Sequence, residues 1–268
     1  MRHFIWITVV VAAVCVAVIA LPAQISFHEE LNQGVQAYKA ANYDAAMQHF
    51  RNAIALDSKN GVAHLYLATT YAQQYIPGVN SPENNHFADS AISEYQAVLQ
   101  IDPHSMDSMK GIAYLQLQSK RFDEAKVSYQ RAIEMDSKDP ETHYSIGVID
   151  WTQAYTKRMA VFSKLNLRPE QSLINKAECW EVRSANEAAI KDGMEMLTKS
   201  IELRPDYDDA MAYMNLLYRE RANIQCSDPI SYQSDLDAAD HWVDMVMGIK
   251  KAKAAKYEKQ AGEPATPR

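Results

Sequence analysis

Small and large apolar residues return along this chain every 34 positions. Taking Phe27 as position 1 of a unit that ends at Asn60, Gly34 falls at position 8, Ala46 at 20, Phe50 at 24, Ala53 at 27 and Leu56 at 30. Restarting at Met106, the same slots hold Ala113, Ala125, Tyr129, Ala132 and Met135, and this unit closes at Asp139. A period of this length predicts a repeated pair of helices joined by a turn. Antiparallel helices approach closely only where neither carries a bulky side chain at the contact. Small residues at positions 8, 20 and 27 meet that need, and large ones at 7, 11 and 24 fill the space around them. Residues 43–50 and 122–129 read as the starts of second helices. Their first turns carry Asp44, Asp123 and Glu124, where the positive end of the helix dipole favours acids.

Two further units keep the pattern but are interrupted. Residues 61–105 hold Leu67, Ala68 and Tyr71 in a first helix and Ala91, Tyr95, Val98, Ile101 and Pro103 in a second. The excess over one period falls at residues 76–86, which contain Pro77-Gly78 and Ser81-Pro82 and read as a turn or protruding loop. Residues 140–207 span twice the period. Ile146-Gly147 opens this unit and Leu203 and Pro205 close it, around a helical insert whose strongest breaker is residues 167–170. An overlong helical hairpin is predicted there. A fifth unit, residues 208–250, begins with Met214, Tyr218 and Ala222. It loops through residues 226–229 and returns with Ala238, Trp242 and Met245 at positions 20, 24 and 27, as a diverged cap.

Over roughly residues 27–250 the chain resembles the tetratricopeptide repeat family, most closely in residues 27–60 and 106–139. The resemblance implies an all-α, right-handed solenoid of helical hairpins. The pairing of a Pro-containing insert with a long hairpin is similar to exported repeat proteins of acidobacteria, a likeness that brings no assigned activity. In the family, first-helix positions 2, 5, 9, 12 and 13 line a concave face that binds peptides or proteins. Here the groove candidates are Tyr38, Lys39, Lys110, Tyr114, Gln118, Tyr144 and Trp151. Family members that clamp a C-terminal carboxylate use Lys and Asn at positions 5 and 9. Leu31 and Val35 stand there, so that clamp is not carried over. Either the groove is open to an extended or helical peptide, or the two inserts fold into it and cover Trp151.

Ahead of the repeats, residues 4–23 hold a single polar side chain, Thr8, after a basic start at Arg2. This is a targeting segment, with a length between a cleaved signal peptide and a spanning anchor. Both readings send the repeats out of the cytoplasm, into the periplasm or onto the inner membrane facing it, with residues 4–23 the only membrane contact. Cys15 lacks the preceding pattern of a lipoprotein signal. Beyond it stand two cysteines, Cys179 and Cys226, on antiparallel helix ends whose axial mismatch is about 8 Å. They form either a disulfide or two buried thiols.

Composition narrows the chemistry. A net charge of −7 without a basic stripe argues against nucleic acid. From Ile249 onward there are six basic and two acidic residues, and residues 251–268 read as a disordered tail. His49, His64, His104, His143 and His241 are scattered along the repeats with no metal-ligand spacing, and the glycines are isolated. No enzyme activity, metal or cofactor is expected. Two functions fit: an envelope scaffold that binds a peptide or protein through its groove, or a structural subunit whose hairpin docks into an outer-membrane or pilus assembly machine.

Overall fold

The computed structural model describes residues 26–169, 171–174 and 176–261, and every regular element among them is an α-helix. Ten helices form five antiparallel hairpins: α1 (Phe27–Lys39) with α2 (Tyr43–Leu56), α3 (Gly61–Gln74) with α4 (Pro82–Ile101), α5 (Met106–Gln118) with α6 (Phe122–Met135), α7 (Pro140–Lys164) with α8 (Glu178–Leu203), and α9 (Asp208–Ala222) with α10 (Pro229–Ala261). The second helix of each hairpin stacks on the first helix of the next, and α7 also touches α9. The segment of residues 4–23 and the Pro-containing end of the tail lie outside the described residues. No helix among those described is long and apolar enough to cross a membrane.

Local chemistry explains where the helices begin. Ser26, Asn42, Asn60 and Asp139 each accept a hydrogen bond from a backbone N–H in the first turn of the helix that follows, which satisfies a donor the helix itself leaves free. The α1–α2 and α5–α6 turns are built alike. Ala41 and Lys120, both at position 15, adopt left-handed φ angles of 57° and 60°. Their neighbours Asn42 and Arg121 donate backbone N–H groups back to Ala37 and Gln116.

The small residues of the 34-residue pattern sit where the helices cross. Ala46, Ala53, Ala68, Ala91, Ala113, Ala125 and Ala132 are buried, with Phe50, Tyr95 and Tyr129 packed beside them. In the fourth hairpin Gly147 and Gly193 let α7 and α8 approach, and Leu197 covers Gly147. The overlong hairpin does not stand free. Its inner face is covered by α9, with Val161, Phe162, Leu173 and Val182 in one apolar cluster with Leu217 and Ile224.

Three expectations need correction. Residues 76–86 are a loop only as far as Ser81. Ser81 caps α4, accepting from Asn84 N–H at 3.2 Å, and Pro82 occupies the first turn, where a missing N–H costs nothing. The loop is tied down by buried Asn84, whose side chain accepts from Ile76 N–H and donates to the carbonyls of Ile76 and Val79. In the fifth hairpin the inward positions of α10 are Asp235, Ala239 and Val246, whereas Met245 is exposed and Ala238 half-buried. Trp242 packs against the apolar cluster as the pattern predicts, so only the slots expected at Ala238 and Met245 move, each by one residue. Finally, α10 begins at Pro229 and continues to Ala261, so residues 251–261 are helical. Lys253 anchors this stretch by donating to Asp208 at 2.6 Å and to the Asp206 carbonyl at 2.9 Å.

Candidate partner-binding groove

The groove candidates are carried by the first helices, α1, α5 and α7, and the structure sorts them. Tyr38 is half-buried and meets Tyr43 edge-on at 5.5 Å, while Lys39 at the end of α1 is exposed. Leu31 and Val35, at the positions of the family's clamp, pack against the apolar cluster around Phe50 and Leu67. Tyr114 on α5 is the most open aromatic of the set, with 49% of its surface accessible. Gln118 instead borders a cavity of 390 Å³ between the 75–81 loop and the α5–α6 turn.

Lys110 is engaged within the chain. It donates to Asp139 at 2.7 Å and to Glu141 at 3.3 Å, linking α5 to the start of α7. Burial opposes ionisation of Asp139, but hydrogen bonds from Lys110 and Thr142 hold its carboxyl below the usual range. This ion pair fixes the stacking of two repeats and leaves no free lysine for a ligand at this point.

Tyr144 and Trp151 lie in a continuous row of rings that joins α7 to α9. Tyr144 packs against Tyr207 at 5.1 Å and edge-on against Tyr213 at 5.6 Å. Trp151 meets Tyr213 edge-on at 5.3 Å and stacks on Tyr155 at 5.2 Å. All five rings are half-buried. The row thus contains one residue of the hairpin extension, Tyr155, but is completed by Tyr207 at the end of the same unit and Tyr213 of the next. These two were missed from the sequence because the contacts join the two ends of one unit and cross to the next. Reading Tyr213 at position 6 of its own unit beside Tyr144 was the available signal. Burial raises the pKa of Tyr144, with Tyr213, Asp209 and Tyr207 adding to it, and burial with the charge of Asp209 raises that of Tyr213. Burial does the same for Tyr207, and Arg204 over its ring only partly opposes it. The hydroxyls accordingly stay protonated at neutral pH.

The remaining candidates have structural surroundings. Cys179 and Cys226 are joined in a disulfide, with Cα atoms 5.6 Å apart, where the start of α8 meets the segment after α9. Nearby, Arg158 on α7 makes a bidentate, buried pair with Glu220 on α9, at 2.7 and 2.9 Å. His49 pairs with Glu30 and His64 with Glu94, each bridging two helices, and His143 meets the Ser137 carbonyl. Among the described residues no group of three or more His, Cys, Asp or Glu side chains is placed to hold a metal ion.

Comparison with known proteins agrees with this architecture. No curated protein matches the sequence. A crystal structure of MamA is similar over 90% of this chain and 98% of its own, with a TM-score of 0.58 at 13% identity. MamA from Desulfovibrio magneticus RS-1, from residue 41 to its end, gives 0.57 at 11% identity, covering 84% of this chain and 96% of that one. YrrB, described as a repeat protein with an unusual peptide-binding site, gives 0.54 at 14% identity, covering 87% and 94%. At these identities the likeness speaks for the fold. By sequence, residues 88–145 match the family described as tetratricopeptide repeat. With that match in its centre and the same hairpin repeated from α1 to α10, residues 88–145 carry tetratricopeptide repeat sequence and the other hairpins share the fold of tetratricopeptide repeat proteins.

Proposed function

We propose that the chain is an exported scaffold that holds a peptide or protein against the face formed by its first helices. One observation carries the reading. Aromatic side chains recur on this face from α5 to α9 and remain partly uncovered: Tyr114, then the row from Tyr207 to Tyr155. Aromatic anchors in a shallow groove are the side chains that dominate binding energy at protein interfaces. The fold shared with YrrB, whose own site is described as peptide-binding, supports the same use. Export is supported by the apolar segment of residues 4–23 behind Arg2, and by a disulfide, which persists in oxidising compartments. The alternative of a hairpin that docks into an assembly machine gains less support, because the inner face of that hairpin is spent on α9.

The test is capture from a solubilised envelope fraction with the wild-type chain and with Tyr114→Ala. A partner retained by the first and lost by the second is expected. Capture that ignores Tyr114 and the aromatic row, and instead follows substitutions on the outer surface of the α7–α8 extension, would favour the docking subunit. Cell fractionation decides export, and a chain found wholly in the cytoplasm would sink that half of the reading.

A further inference from the structure

The row of rings between α7 and α9 has properties that select among peptide conformations, an inference that rests on the scaffold reading above. Tyr144 and Trp151 are seven residues apart on one face of α7, which separates them by about 10.5 Å along the helix axis. A polyproline II chain completes a turn in about 9 Å and presents the same edge once per turn. Tyr213 from α9 lies between them, edge-on to both. The hydroxyls of Tyr144, Tyr207 and Tyr213 and the indole N–H of Trp151 make no hydrogen bond with other described residues. The site therefore offers rings together with unused donors.

Those donors distinguish one occupant from others. A helical peptide satisfies its own backbone carbonyls and has no need of them. An extended β-peptide also has free carbonyls, but it presents the same edge every two residues, about 6.6 Å, which fits the ring spacing less well than a polyproline II turn. A polyproline II chain has no internal hydrogen bonds, so its carbonyls are free to accept, and its flat rings pack on aromatic faces. The charge at the Tyr207 end points the same way. Asp209 is exposed, its charge acts on Tyr144, Tyr207 and Tyr213, and it makes no ion pair with the described residues; Lys253, which also feels its charge, is bonded to Asp208, and Arg204 is taken up by Glu141 and the Tyr207 ring. We propose that this row binds a proline-rich segment of a partner protein in the polyproline II conformation, with an arginine or lysine seated at Asp209.

The experiment is a fluorescence-anisotropy titration of the full chain with a labelled peptide of nine prolines and one terminal arginine. The controls are the same peptide with glutamate for arginine, and an amphipathic helical peptide. Saturable binding of the arginine peptide is expected, weakened about fivefold by Tyr144→Phe and again by Tyr213→Phe, each of which keeps the ring and removes one donor. Asp209→Asn should erase the preference for arginine over glutamate. Affinity unchanged in all three variants overturns the proposal. Binding of the helical peptide alone also overturns it, yet leaves the broader scaffold reading standing. Residues 264–268, Pro-Ala-Thr-Pro-Arg, have the same chemistry. If the full chain is silent while a chain ending at Ala261 binds the arginine peptide, that segment is the occupant and the partner is not. Silence of both chains overturns the inference, and capture through Tyr114 then tests the scaffold reading by itself.

Discussion

A Cβ atom on Gly34 would lie 2.5 Å from Cε1 of Phe50, a ring that is fully buried. These are positions 8 and 24 of one repeat. The same relation recurs between Gly147 and Leu197, where the distance is again 2.5 Å. The glycine is thus required by the ring that lies on it, since α1 is otherwise an ordinary helix. Gly34→Ala on an exposed helix would gain roughly 0.5 to 1 kcal/mol. Here it should lose about 1 to 3 kcal/mol, because the enclosed ring has to move. Ala46→Leu and Ala125→Leu, at fully buried crossings, should lose a comparable amount. Thermal melts of the three variants check this, and a Gly34→Ala protein that melts higher than the parent would contradict it.

Position 15 shows the opposite situation. Ala41 and Lys120 both have left-handed φ values, which a side chain with a Cβ adopts at a cost of roughly 1 to 2 kcal/mol. Both follow a helix end, where glycine is the usual solution. Ala41→Gly and Lys120→Gly should each stabilise by up to about 1 kcal/mol, once the added freedom of the unfolded chain is subtracted. Both residues are exposed, so packing is untouched. Denaturant midpoints that fall in both variants would refute the assignment of strain to these turns.

How much of this was readable follows from what constrains each position. Helix-crossing slots such as Ala53, Ala113 and Ala132 tolerate one size of side chain, so the 34-residue period locates them from sequence alone. Ser81-Pro82 was ambiguous by nature, because the residues that break one helix also start another. Only Asn84 reaching back to Ile76 settles which they do. In α10 the pattern was only partly legible, holding at Trp242 but not at Ala238 and Met245. Met245 and Met247 are free to be apolar while exposed, and the pattern is no longer held to the core. The groove was half legible. Tyr114, Tyr144 and Trp151 follow from the repeat register, but Tyr207 joins them from the far end of its unit and Tyr213 through the stacking of successive repeats, which no local period encodes.

Asp150 sets a pH dependence of unusual sign. Its carboxylate is fully buried at the α7–α8 crossing, accepts from Lys126 of α6 at 2.6 Å, and leaves Oδ2 without a hydrogen bond. Asp192 of α8 shares the same lysine. Burial pushes the Asp150 pKa up from 3.8 to about 6; Lys126 opposes the rise and Asp192 adds to it. A carboxyl that holds its proton more tightly when folded stabilises the fold below the unfolded pKa, and that contribution is lost as pH rises through about 6. Between pH 7 and pH 4 the contribution of this group should grow by about 2 kcal/mol. Asp150→Asn should remove that component, measured as the difference in melting temperature between variant and parent across the same range. A difference that stays constant with pH would show that Asp150 is not the group responsible.

The disulfide links stability to compartment. Cys179 and Cys226 are 47 residues apart in sequence, and the loop they close contains most of α8, all of α9 and the turn between them. Closing a loop of this length removes conformational freedom from the unfolded chain worth about 3 to 4 kcal/mol. The bridge sits at the far end of the overlong hairpin, where Cys179 and Cys226 are buried with Leu173, Val182 and Ile224 and tie the start of α8 to the segment after α9. Its loss should therefore loosen the fourth and fifth hairpins and spare the first three. Those hairpins also carry the row from Tyr144 to Tyr155, so partner binding should weaken with them. Cys226→Ser, and the wild-type chain under reductant, should expose amides of residues 178–226 to hydrogen exchange while those of α1 to α6 keep their protection. Protein recovered from an oxidising compartment should give no free-thiol signal from either cysteine. Labelling of both in non-reduced, exported protein, or exchange rates indifferent to reductant, would show that the hairpin is held without the bridge.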